Sequence, residues 1–360
     1  MNHAQLRYYS IDKNHTEFNL SQIQSIFCSM IICFLSLSIL IFLQSLSMKI
    51  FIISLVTISA IGGFNYFKTI YQAKLLPKTI ISLTSLQALL AFIIPITLLS
   101  FNNKSAIIVI AGICLSYLLL TFFVGLKHKK HFFILPIDKE KIKNNNFLIK
   151  KWAKYGFPIS IWFAAMLVMP FLDRFFINYF LSSKDLGVYS SLQELLTRLF
   201  SLTLFPFTLA LHPRIMSMWN QSNFSSVIEL LSKSIIIILS IGILFLLFIW
   251  KFNDFIFYCI KMTIPELGIE YKNLIIPLLC TGFLWQLSLL THKMLELNQK
   301  TLIMVISILP SIIINLFGNT FFITSLGTLA TAYTSFFSAL TYFLITGTYF
   351  IFKKNRMTLI

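Results

Sequence analysis

Four ionisable residues, Asp173, Arg174, Glu194 and Arg198, lie inside otherwise apolar runs between Leu172 and Met216. A charge near the centre of a bilayer costs about 2.5–3.5 kcal/mol even on the lenient insertion scale, so such residues face protein or water and mark ion or substrate paths. Two chemistries follow from the residue types. A guanidinium offers a rigid fork of donors to an anion in a low-dielectric cavity. Arg198 and Arg174, with Gln193 and Ser201 as neutral neighbours, are therefore the candidates for binding substrate. A carboxylate in such a place takes up a proton or a cation, which makes Glu194 and Asp173 the candidates for coupling transport to an ion gradient. Plainer readings stand beside these. Glu194 and Arg198, four residues apart on one helix face, can neutralise each other, and the long Arg174 side chain can snorkel to the headgroups.

The element that must position this chemistry is a helix read from 187 to about 211. At 100° per residue, Ser190, Thr197, Arg198, Ser201, Thr208 and His212 fall within about 60° of Glu194 and form one polar face. The opposite face carries Leu195, Leu196, Leu199, Phe200, Leu204 and Leu211. Rise per residue places Glu194 and Arg198 about 10 and 16 Å in from Gly187, and Asp173 about 27 Å beyond Tyr155 on the preceding helix, towards its outer end. Depth alone ranks Glu194 and Arg198 above Asp173 and Arg174. Adjacent helix positions point about 100° apart, so Asp173 and Arg174 are expected to find separate partners. Gln286, Asn315 and Asn319 read as interhelical hydrogen-bonding residues, and Glu296 as a solvated loop residue.

Composition supports a bilayer for all of this. The 360 residues are 57% hydrophobic and 11% charged, with a mean hydropathy of +0.84, values outside the range of soluble globular domains. No short apolar stretch with a small-residue cleavage site follows the polar start, so no cleaved leader is expected. The five cysteines show no CxxC spacing and no clustering with His, and read as core residues rather than disulfides or metal ligands. There is no nucleophile set beside a base, no phosphate-binding glycine loop and no paired carboxylates on one loop, so neither catalysis nor a cofactor is expected.

Ten segments are long and apolar enough to span, at about 26–45, 49–70, 79–101, 105–126, 155–180, 187–211, 231–252, 272–292, 301–323 and 328–352. Of the Lys and Arg residues, 21 fall on the side shared by both termini and six on the other. Both termini are therefore expected in the cytoplasm. The same bias accounts for the net charge of +17 without nucleic acid as a partner. The connection 127–154 carries nine lysines and reads as a basic cytoplasmic loop against anionic lipid, or a docking site for a cytoplasmic enzyme. It divides four helices, 1–126, from six, 155–360. Prolines 95, 170, 206, 277 and 310 lie within spans, which suits a carrier that changes shape and equally matches the general frequency of proline in membrane helices.

The stretch from Lys150 to Met216 resembles the Wzx-like oligosaccharide flippases, the polysaccharide export family of the multidrug/oligosaccharidyl-lipid/polysaccharide superfamily. The residues that carry the resemblance are KKWAKYGFPISIW, then LDRFFINYFLSSKDLGVYS, then LALHPRIM. The resemblance implies an all-α polytopic fold, two six-helix lobes around a central cavity as in MATE transporters. It implies a carrier that moves undecaprenyl-diphosphate-linked oligosaccharide, an O-antigen or capsule repeat unit, across the bacterial inner membrane by alternating access. Arg198 and Arg174 would then meet the diphosphate or acidic sugars. A polysaccharide polymerase and chain-length proteins are the implied partners, alongside membrane lipids. QLRYYSIDKN resembles the loop after the family's second helix, so two amino-terminal helices are expected to be missing, by a late start or a real truncation. The alternatives are a cation-coupled multidrug exporter of the same fold, a membrane polysaccharide polymerase or ligase, and an inactive truncated homologue.

Overall fold

In the computed structural model, residues 30–35, 37–39, 47–74, 76–101, 106–127 and 139–357 are described. Much of the span expected at 26–45, and the whole of QLRYYSIDKN, lie outside them. The described chain is helical throughout and forms two units, Met1–Gly156 and Phe157–Ile360. Eight of its helices are long and apolar enough to cross a membrane. The protein is a multi-pass membrane protein.

The described part of the first unit is built on α1 (Met48–Ala73), α2 (Pro77–Phe101) and α3 (Ala106–Lys127). Small residues bring the helices together, the usual device where lipid removes the hydrophobic drive for association. A Cβ at Gly63 would lie 2.7 Å from Thr121 Cγ2, and one at Gly112 would lie 2.8 Å from the backbone of Pro95.

The second unit takes the end of α4 (Lys139–Phe180), then α5 (Ser183–Asn220), α6 (Phe224–Lys251), α7 (Asn253–Thr263), a 3-10 turn (Ile269–Leu274), α8 (Ile275–Thr291), the short α9 (Lys293–Leu297), α10 (Thr301–Leu326) and α11 (Thr328–Met357). The lysine-rich stretch expected as a loop is helical from Lys139 and runs straight into the span. The unit is organised around the span Ile269–Leu297, which contains α8: 78% of its apolar window is buried, against 22–33% for the unit's other apolar spans, α4 included. Close approach explains this. A Cβ at Gly282 would touch the Thr197 backbone of α5 at 3.1 Å, and one at Gly242 of α6 would sit 1.9 Å from the Phe283 ring.

Helix α5 begins with a capping box. The Ser182 side chain accepts from Asp185 N at 3.1 Å, and Asp185 accepts from Ser182 N at 3.2 Å, which satisfies two of the helix's orphan donors. Tyr271 donates to the same carboxylate at 2.6 Å. The Ser182 hydroxyl also donates to Asp185 Oδ2 at 2.5 Å, and this bond first, then that from Tyr271, holds the Asp185 carboxyl below the usual carboxylate range. With 38 residues, α5 exceeds the helix expected at 187–211 at both ends.

Candidate functional site

Helices α4 and α5 are antiparallel neighbours joined by the two-residue turn 181–182. That turn corrects the depth ranking made from the sequence. Counted back from the turn rather than from the far end of α4, Asp173 and Glu194 lie at similar levels, and hydrogen bonds join the two helices there. Within that level the ranking inverts: Asp173 is the buried carboxylate, at 1% exposure, whereas the Glu194 side chain is 51% exposed.

Asp173 is the acceptor at the centre of a four-helix network. Its Oδ1 accepts from Asn315 Nδ2 at 2.8 Å and Asn319 Nδ2 at 3.4 Å, both from α10. Its Oδ2 accepts from Ser335 Oγ of α11 at 2.5 Å, Gln193 Nε2 at 2.9 Å and Tyr189 OH at 3.3 Å, the last two from α5. All five donors are buried. A carboxylate taken out of water is tolerable when its lone pairs are met by donors. The asparagines are interhelical hydrogen-bonding residues as expected. Ser335 carried no sequence signal, being one hydroxyl among many on α11.

One residue along, Arg174 points elsewhere. Its Nη2 reaches Glu194 Oε2 at 3.4 Å, and its guanidinium carbon lies 5.6 Å from the centre of the Phe171 ring. Arg198 donates from Nε to Glu194 Oε1 at 2.7 Å. Glu194 therefore bridges two arginines, one from each helix, and the trio carries one net positive charge. Arg198 is exposed and Arg174 half-buried, so the trio is available to an anion.

A cavity of about 170 Å³ adjoins both groups. Of the six residues singled out in the sequence, Asp173, Gln193, Glu194 and Ser201 line it, together with Thr197, Thr281, Trp285, Gln286 and Ser335. Arg174 and Arg198 are outside its lining. Thr208 and His212 continue the polar face as buried residues. The apolar face is shifted from the expected one: Leu192, Leu196, Phe200 and Leu204 are buried, while Leu195 and Leu199 are exposed.

A second polar centre was not legible as such. Lys293 and Glu296 of α9 pair directly with each other, and Lys293 Nζ lies 2.8 Å from His212 Nδ1. All three are buried. Glu296 is thus no solvated loop residue. The chain turns back on itself at α9 and carries its carboxylate against the end of α5. The only sequence signals were the i, i+3 spacing of Lys293 and Glu296 and the placement of His212 directly below Glu194 on the polar face.

Solved structures share this fold. A multidrug resistance MATE family transporter of the MOP superfamily, in its outward-facing conformation, superposes with a TM-score of 0.73 at 14% identity, covering 99% of this chain and 82% of that one. A MATE structure in complex with MaL6 gives 0.75 at 14%, covering 100% and 84%. The Vibrio cholerae MATE transporter VcmN, in its bent form, gives 0.67 at 12%, covering 98% and 84%. Comparison with curated proteins finds no match. A MatE family model matches residues 158–284. Fold and family matches together define the class: a membrane transporter of the MOP superfamily. Within it, residues 2–219, more than half of the chain, match the model described as Polysaccharide biosynthesis protein, and the chain belongs to that family.

Proposed function

We propose that the chain is a flippase that moves an undecaprenyl-diphosphate-linked oligosaccharide, such as an O-antigen or capsule repeat unit, from the inner to the outer leaflet of a bacterial cytoplasmic membrane by alternating access. The observation that carries this reading is the match of residues 2–219 to the polysaccharide biosynthesis family. The excess of Lys and Arg on one side supports cytoplasmic termini. The net positive trio Arg174–Glu194–Arg198 suits the diphosphate, because forked guanidinium donors match phosphate oxygens. Asp173 and Glu194 are the groups on which a proton or cation would couple transport to a gradient. The chain acts as a carrier and not as an enzyme.

Expression of the chain should restore surface polysaccharide to a flippase-null strain, and Arg198→Ala should abolish that rescue while the protein still inserts. Full rescue by Arg198→Ala removes the arginine from the mechanism. A second reading, a cation-coupled drug exporter, draws on the MatE match over 158–284. It predicts raised drug resistance on expression and unchanged surface polysaccharide.

A further inference from the structure

The cavity in the second unit holds an asymmetry of hydrogen-bonding groups. Gln193 and Gln286 are both more than nine-tenths buried. Each spends its amide nitrogen inside the protein, Gln193 on Asp173 at 2.9 Å and Gln286 on Ser201 Oγ at 3.2 Å. Among the described residues, neither amide oxygen meets a protein donor, and both residues line the cavity. The nearby hydroxyls do not help. Thr197 and Ser201 donate to backbone carbonyls of their own helix, at 2.6 and 3.1 Å. The polar wall is thus rich in acceptors, and a buried acceptor without a donor is a standing penalty that a ligand bearing hydroxyl groups relieves.

The remaining wall is apolar and aromatic. Met166, Met169 and Pro170 line it, with Trp285, whose ring is backed by Tyr342 at a centroid separation of 5.5 Å. Size narrows the ligand. About 170 Å³ is below the roughly 300–1,000 Å³ of sites that enclose a drug-sized molecule, yet holds several times the roughly 30 Å³ of one water. Charge narrows it further. Asp173 and Glu194 line the cavity and the arginines do not, so a phosphate or an acidic sugar would face carboxylates. A neutral pyranose ring satisfies every constraint, with C–H faces for the electron-rich face of an indole and a rim of hydroxyl donors for the two amide oxygens.

We infer that this cavity is a subsite for a single neutral sugar ring of the transported glycan, held by Gln193 and Gln286 and laid against Trp285. The inference rests on the flippase reading for the class of substrate. It separates recognition into two places, the arginine trio for the anionic part and the cavity for a sugar.

The test uses the full chain in nanodiscs and methyl glycosides of glucose, galactose and N-acetylglucosamine as probes, with binding followed by saturation-transfer NMR. At least one glycoside should bind, and Gln286→Met and Trp285→Phe should each weaken it by about tenfold, the scale of one lost hydrogen bond or ring contact. Thermal unfolding checks that each variant is folded. If Gln286→Met is not, Trp285→Phe carries the test. No binding of any neutral glycoside, binding untouched by the folded variants, or preferential binding of tetramethylammonium overturns the inference. Surface polysaccharide in a flippase-null strain separates the two readings. Wild-type rescue that persists undiminished in Gln286→Met sinks the sugar subsite and leaves the flippase standing. Glycoside binding with the expected variant pattern, but no rescue by the wild type, sinks the flippase reading and upholds the cavity.

Discussion

Asn315 donates a 2.8 Å hydrogen bond to Asp173 across 142 positions of sequence. That bond ties α10 to α4, and the other donors to the same carboxylate tie in α5 and α11. Asp173 is therefore a structural hub of the second unit as well as a candidate for ion coupling. Asp173→Ala strands several buried donors and should destabilise the protein by about 2–5 kcal/mol, read as a lowered midpoint of thermal unfolding in detergent. Asn315→Ala removes one donor and should lower it by clearly less.

Glu194 should behave in the opposite way. It is half exposed and its partners are exposed or half-buried, so its ion pairs add at most about 1 kcal/mol to stability. Glu194→Gln should leave the unfolding midpoint nearly unchanged. It also frees two guanidiniums, so surface polysaccharide export in a complemented null strain should change while stability does not.

The α6–α8 contact depends on the absence of one carbon. In Gly242→Ala the new Cβ would overlap the Phe283 ring, and overpacking of this kind costs about 1–3 kcal/mol. Phe283→Ala leaves a cavity and is destabilising by itself. The double variant should be more stable than the sum of the single effects implies, because the methyl then occupies space the ring has left.

The buried trio His212–Lys293–Glu296 gives a charge-pair test. Lys293→Met removes the cation that pairs with the buried Glu296, and removal of one partner of such a pair typically costs about 3–5 kcal/mol. Lys293→Met combined with Glu296→Gln should recover most of that loss, measured by thermal unfolding of the purified variants.

Acid should loosen the start of α5. The Asp185 carboxyl is held below its ordinary value by Ser182 and Tyr271. Its stabilising contribution is thus fully present above the unfolded value of about 3.9 and is lost as pH falls through the lower folded value. Asp185→Asn should lower the unfolding midpoint at neutral pH, and the difference from wild type should shrink as the pH is taken below about 4.

Much was legible in the sequence for simple physical reasons. Runs of apolar residues long enough for a bilayer announce helices, because backbone groups in lipid must be satisfied within the segment. A helix that mixes Glu194, Arg198, Ser201 and His212 with leucines announces itself as one that cannot face lipid on all sides. The order of residues from Lys150 to Met216 resembles the polysaccharide export family, and the match over 2–219 places the chain in the polysaccharide biosynthesis family. All of these signals are local, and the bilayer makes local signals strong.

What the sequence could not rank was one charge against another. Distance along a helix is a one-dimensional measure, and it put Asp173 at the periphery and Glu194 in the depth. Burial is decided by neighbours on other helices. Asn315, Asn319 and Ser335 close over Asp173 from more than 140 positions away, while Glu194, on the other side of the same junction, opens towards its two arginines. The sequence alone determined that this chain is a bundle of membrane helices with a charged seam at α4 and α5. Only the tertiary structure decided which carboxylate is enclosed, because enclosure depends on which distant donors the packing of four helices brings to one point.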